Sequence, residues 1–147
     1  MTLTQSLSSV LALCFIAGCA NKPMINSENL DSSQVEISYV LGHTHYKYMA
    51  VAGKHNAEVS SLRDDRVLEK KSIPLARYQD FAGKVEKMLQ SSATPAPDES
   101  CRTPYKIQVT AGKKVRTGSG CRTSDVEGKV GRLIKEGEFL LYSEEKL

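Results

Sequence analysis

Residues Val35–Leu41 read VEISYVL. Val35, Ile37, Tyr39 and Leu41 alternate against Glu36 and Ser38. A period of two sends one set toward a core and the other toward water, which predicts a half-buried strand. Gly42 ends it, and the pattern resumes in HYKYMAVA, residues 45–52. There Tyr46, Tyr48, Ala50 and Ala52 share one side, while Met49 and Val51 blur the face. Gly53-Lys54 marks the next turn. NAEVSSL (56–62) and RVLEKK (66–71) read as weaker strands on either side of an Arg63-Asp64-Asp65 turn. Strands joined this tightly predict an antiparallel meander.

A helical period then takes over. From Pro74 the apolar positions are Leu75, Tyr78, Phe81, Ala82, Val85, Met88 and Leu89, close to one per 3.6 residues. Ser72 and Pro74 suit a helix start, Gly83 weakens the interior, and the helix is expected to end near Gln90. SSATPAPDES, residues 91–100, reads as a linker. YKIQV (105–109) alternates again, and KKVRTGSG (113–120) can return beside it through a turn near Ala111-Gly112. Ser124-Asp125-Val126-Glu127 has the form of a capping box, followed by Val130, Leu133 and Ile134. Gly137 is expected to end this second helix, leaving FLLYS (139–143) as a short strand or docked tail. Strands then a helix occur twice, and CRT at 101–103 recurs at 121–123, without the sequence identity that would establish a repeat. The expected fold class is α+β: an antiparallel sheet of about five to seven strands with two helices.

Toward the N-terminus the character changes. Residues 1–18 carry no charged side chain, and Leu7–Gly18 is apolar apart from serines. A spanning helix needs roughly 20 apolar residues, so this run has the length of a secretory signal core instead. It ends in Ile16-Ala17-Gly18-Cys19, an aliphatic residue and two small residues before a cysteine. This resembles the lipobox of bacterial lipoproteins. The resemblance implies cleavage between Gly18 and Cys19, loss of Cys14 with the signal peptide 1–18, and a thioether-linked diacylglycerol with further acylation (palmitate or a similar chain) on Cys19. Ala20 stands where an aspartate would favour the inner membrane, so the resemblance implies the outer membrane, facing periplasm or cell surface. One acyl chain holds weakly, at about 0.8 kcal/mol per buried methylene, whereas two or three hold firmly. Residues 19–34 read as a lipidated tether and 35–147 as a single small domain with its linker at 91–100.

Export places the remaining cysteines in an oxidising compartment, and Cys101 and Cys121 are expected to form a disulfide. Their midpoint, residue 111, lies at the tip of the predicted hairpin, where an odd-numbered loop would set them opposite each other. Closing a loop of about 20 residues contributes roughly 3 kcal/mol in the chain-entropy description. The spacing is not that of a C-x-x-C redox pair, and a zinc site would need about four ligands.

The charge balance is mild, +3 overall, but 10 of the 20 Lys/Arg and only 6 of the 17 Asp/Glu lie in residues 101–147. A nucleic-acid binder shows a more clustered excess, so no nucleic-acid partner is expected. Lys113, Lys114 and Arg116 near the predicted turn are candidates for binding lipopolysaccharide phosphates, anionic lipid or peptidoglycan carboxylates; the plainer reading is a solvated loop. His43, His45 and His55 form the one histidine cluster and are weak metal candidates, though no metal or other cofactor is expected. Gly118-Ser119-Gly120 has neither a phosphate-loop ending nor the Gly-x-Ser-x-Gly of a nucleophile elbow. Asp64, Asp65, Asp125 and Glu127 are accounted for by turns and capping. No catalytic constellation emerges. The expectation is a non-enzymatic envelope lipoprotein with an envelope protein or polymer as its partner, the membrane being reached through lipid on Cys19. The alternatives are an inhibitor of an envelope hydrolase, a small cell-wall hydrolase or a metal-binding module.

Overall fold

The computed structural model describes residues 23–91, 97, 99–122 and 124–143 of the chain. The expected signal peptide, Cys19 and most of the expected linker lie outside the described residues, as do the side chains of the expected capping box. The meander consists of β1 (Ser33–Leu41), β2 (Thr44–Ala52), β3 (Asn56–Arg63) and β4 (Arg66–Pro74). The helix α1 (Leu75–Ser91) crosses back over the sheet, β5 (Pro104–Ala111) and β6 (Lys114–Cys121) form a hairpin, and α2 (Ser124–Tyr142) follows. The described strands make one antiparallel sheet in the order β4-β3-β2-β1-β5-β6. Asp64 and Asp65, both at positive φ, form the β3–β4 turn, as a two-residue hairpin with right-handed strand twist requires.

The alternation seen in the sequence decides the layers. Val35 pairs with Ala50 and Val109, and Ala50 with Val59, in one row across four strands. All four are fully buried. The next row runs Ile107–Ile37–Tyr48, again buried. Both helices lie over this face. Tyr78, Phe81, Ala82 and Val85 of α1 point into it, as do Val130, Leu133, Ile134, Leu140 and Leu141 of α2. Burying a large apolar side chain contributes about 1.5–3 kcal/mol, so three such residues outweigh the ~1 kcal/mol that Gly83 costs α1.

Two expectations change here. FLLYS is neither strand nor tail: α2 runs on to Tyr142. The buried set 130, 133, 134, 137, 140, 141 is one continuous helical stripe, and Gly137 belongs to it. A Cβ at Gly137 would lie 3.0 Å from the ring of Tyr48, which itself packs edge-on against Phe81 with centroids 5.5 Å apart. The glycine is there for close approach and does not end the helix.

The tether also differs from expectation, because the fold reaches back to Met24. Met24 is buried, and its N–H donates to Glu86 Oε2 at 3.1 Å. The Ile25 N–H donates to Oε1 of the same carboxylate at 2.9 Å. Asn29 Nδ2 donates to the Met24 carbonyl, and a single 3-10 turn (Leu30–Ser32) leads into β1. Ser33 Oγ and Tyr78 Oη, 2.8 Å apart, fasten the junction. Residues 24–32 therefore form a strap along α1. The other flank of α1 meets α2: Lys84 bridges Asp80 at 3.0 Å and Glu136 at 3.1 Å, and Arg77 lies 5.8 Å from the Phe139 ring centroid. Strap, α1 and α2 thus cover the buried face as three adjacent bands. None of the described helices is long and apolar enough to cross a membrane.

Gly131 has open space where a methyl would go, so Gly131→Ala should raise stability by up to ~1 kcal/mol. Gly137→Val should lower it by about 1–3 kcal/mol through overpacking against Tyr48. Urea midpoints test both, and a neutral Gly137→Val would refute the close-approach account. Glu86→Leu leaves two N–H groups without their acceptor, which should cost roughly 2–3 kcal/mol. It should also speed hydrogen exchange at the Met24 and Ile25 amides well ahead of that in β1; unchanged protection there would count against the clamp.

Candidate functional site

None of the described helices lies over the other face of the sheet. Its side chains are the second half of each alternation: Glu36, Ser38 and Val40 on β1, His45, Lys47, Met49 and Val51 on β2, Lys106, Gln108 and Thr110 on β5. The register lines up Leu62, Lys47, Ser38, Lys106 and Ser119 in one row across five strands. Strands lie about 4.8 Å apart, so the Cα atoms of Lys47 and Lys106, two strands apart, stand about 10 Å from each other with Ser38 between them. Ser38 Oγ donates to the Lys106 carbonyl at 3.4 Å. Lys47 stands 3.9 Å from Glu36, a partly exposed pair that contributes little to stability.

This row opens into a cleft of about 460 Å³ at the end of the sheet where β1 ends and β2 begins. Ser38, Val40, His45, Lys47, Lys106 and Ser119 line it, together with Tyr39, Tyr46, Asp65, Pro97, Pro104 and Tyr105. The β3–β4 turn is fixed there: Asp64 Oδ1 accepts the His45 N–H at 2.9 Å, and the Asp64 N–H donates to the His45 carbonyl at 2.8 Å.

The disulfide braces the same end. Cys101 and Cys121 are bonded, with Cα atoms 5.7 Å apart. They do not face each other across the ladder. The hairpin loop is the two-residue Gly112-Lys113, so Cys121 pairs with Pro104 and the bridge reaches Cys101 in the chain leading into β5. Arg122 continues this edge, donating its N–H to the Thr103 carbonyl at 3.0 Å and placing its guanidinium 5.4 Å from the Tyr39 ring centroid. Tyr39 stacks on Tyr46 with centroids 5.2 Å apart.

A smaller cavity, about 120 Å³, lies on the helix side between β2, β3 and α2, with Tyr46, Tyr48, Ser61, Ile134 and Tyr142 among its walls. Tyr48 Oη and Ser61 Oγ are buried there without a hydrogen-bond partner among the described residues. Burial raises the pKa of Tyr48, with Arg77 opposing. Burial likewise pushes Tyr78 up to about 12, against the pull of its Ser33 hydrogen bond and with help from Glu86.

The sequence candidates fall in different places. His43 and His45 sit near the cleft, whereas His55 lies in the β2–β3 turn at the opposite end of β2; the three do not converge. No group of three or more His, Cys, Asp or Glu suited to a metal occurs among the described residues. Lys113 and Lys114 project from the β5–β6 turn, also away from the cleft. Arg116 is half-buried on the helix side, and its Nη1 has no partner among the described residues. Gly118-Ser119-Gly120 is ordered strand, not a flexible end. Its glycines admit Leu89 and Tyr105, whose atoms would lie 2.6 and 2.8 Å from added Cβ atoms, while Ser119 faces the cleft. The sequence reading missed Lys47, Lys106 and Ser38 as one row. Each had been visible as the outward partner of an alternating strand, but their alignment needs the register. No protein-family model matches the chain, and no curated protein matches it in sequence.

The raised tyrosines predict an alkaline limit. In the unfolded chain a tyrosine ionises near its ordinary value of 10.0, whereas folded Tyr78 holds its proton to about 12. Stability should be fully present below pH 10 and fall as pH rises from 10 toward 12, since only the unfolded state gains by ionising. Denaturation midpoints across that window check this, and Tyr78→Phe should flatten the decline. A parent curve that stays level to pH 12 would refute it.

Proposed function

We propose that this chain is a non-enzymatic envelope lipoprotein, held in the outer membrane by lipid on Cys19, that binds an envelope protein or polymer on its uncovered sheet face. The observation that carries the reading is the open cleft with Lys47, Ser38 and Lys106 in register across it. Antiparallel sheets tolerate one solvated face, but here that face is braced by a disulfide at the very end where the cleft lies. Rigid strands hold binding groups more accurately than loops do. Two cationic side chains flanking a hydroxyl suit a partner that carries carboxylates or phosphates. Val40, Tyr39, Tyr46 and Pro104 give the same cleft apolar and aromatic wall beside these polar groups, a mixture that fits contact with a large partner. Catalysis asks for a nucleophile held against a base in a closed site. The anchor rests on the Ile16-Ala17-Gly18-Cys19 resemblance, and the hold of Glu86 on Met24 keeps the domain close to that anchor.

A photocrosslinker placed at Ser38 in intact cells should capture a discrete partner, and one at Gln79 on α1 should not. Lys47→Glu with Lys106→Glu should reduce the capture roughly tenfold while leaving the thermal midpoint unchanged. Equal capture from both positions, or capture indifferent to the two charges, refutes the face. Mass spectrometry of the N-terminus should find a chain beginning at acylated Cys19.

A further inference from the structure

The strap and the β5–β6 turn share one end of the sheet. The Gly112 N–H donates to the Ser32 carbonyl at 3.3 Å, so this turn abuts the segment by which the chain enters β1. The β2–β3 turn is at the same end, because Gln34 at the start of β1 pairs with Val51 near the end of β2. Lys54, Lys113 and Lys114 are exposed on these two turns. Arg116 stands behind them, and Glu28 and Asp31 of the strap are the exposed acids nearby in the chain.

We infer that this end of the sheet rests on an anionic lipid surface, with Lys54, Lys113 and Lys114 against headgroup phosphates. The inference rests on the lipidation of Cys19 proposed above. Charge alone does not select the end, since Arg63, Arg66 and Arg102 are exposed at the other one. The leash selects it. Glu86 fixes Met24 on the fold, and Asn29 ties it toward the strap end, donating Nδ2 to the Met24 carbonyl at 2.9 Å while its own carbonyl accepts the Ser32 N–H at 3.2 Å. Met24 is five residues beyond Cys19. Five residues span at most about 18 Å when fully extended. A nine-residue strand is itself about 26 Å long from its first to its last Cα. The lipid therefore holds the strap end near the headgroups, where each basic residue adds to attraction for an anionic surface, and the cleft end stands away from the membrane, open to its partner.

The test uses the native lipidated protein, inserted from outside into preformed vesicles of phosphatidylcholine alone or mixed equally with phosphatidylglycerol. A membrane-impermeant amine-acylating reagent is applied, and each lysine is followed by peptide mass spectrometry. Lys54, Lys113 and Lys114 should react roughly fivefold more slowly on the anionic vesicles, and high salt should remove the difference. Lys47, Lys70 and Lys106 should react alike on both. In the variant K113Q/K114Q the protection of Lys54 should disappear. The same spectra report Cys19. If it is lipidated and the three lysines react equally on both surfaces, docking is overturned while anchoring stands. A bare Cys19 removes the leash and overturns both.

Discussion

One constraint organises this molecule: all the strongly buried side chains of the sheet fall on one side of it. The rows through Val35 and Ile37 put apolar partners from up to four strands in register, and everything else must choose a face accordingly. Strap, α1 and α2 share the apolar side and cover it as adjacent bands. The opposite side then keeps whatever the outward positions happen to carry, which is a mixture of polar, charged and a few apolar groups. The proposed function draws on that division, since it uses the face that no described helix covers.

The second organising contact is the buried carboxylate of Glu86. A carboxylate taken out of water is costly unless its oxygens are satisfied. Here both oxygens accept backbone N–H groups, which makes the interaction indifferent to the identity of residues 24 and 25. With Met24 buried and Ile25 and Leu30 packed against the core, this clamp orders a strap whose sequence has the composition of a tether.

What the sequence revealed and what it hid follow from the same physics. β1, β2 and α1 were legible because alternation and helical spacing are local signals that burial itself imposes. The extent of α2 was hidden by Gly137, where the general rule that glycine ends helices lost to a contact with Tyr48 from a distant strand. Glu86 lies on the flank of the stripe of α1, beside Ala82, and an acid inside a buried arc was the one available hint of the strap. The disulfide pairing was legible, but not its geometry, because a two-residue loop shifts the ladder so that Cys121 meets Pro104. The row Lys47–Ser38–Lys106 needed the register of three strands at once, which no single segment encodes, and the distance of His55 from the other histidines emerges only once β2 is seen running its full length between them.

The placement of β1 has a mechanical side. It is flanked on both sides by antiparallel neighbours, and the chain enters it from the strap. Tension that arrives through the N-terminus and is resisted at the cleft runs along the strand axis. It therefore loads the ladders to β2 and β5 in shear, many hydrogen bonds at once, instead of peeling them apart one by one. A domain pulled between a lipid and a partner in this geometry yields late, and the cross-link at Cys101–Cys121 shortens how far the chain can pay out when it does.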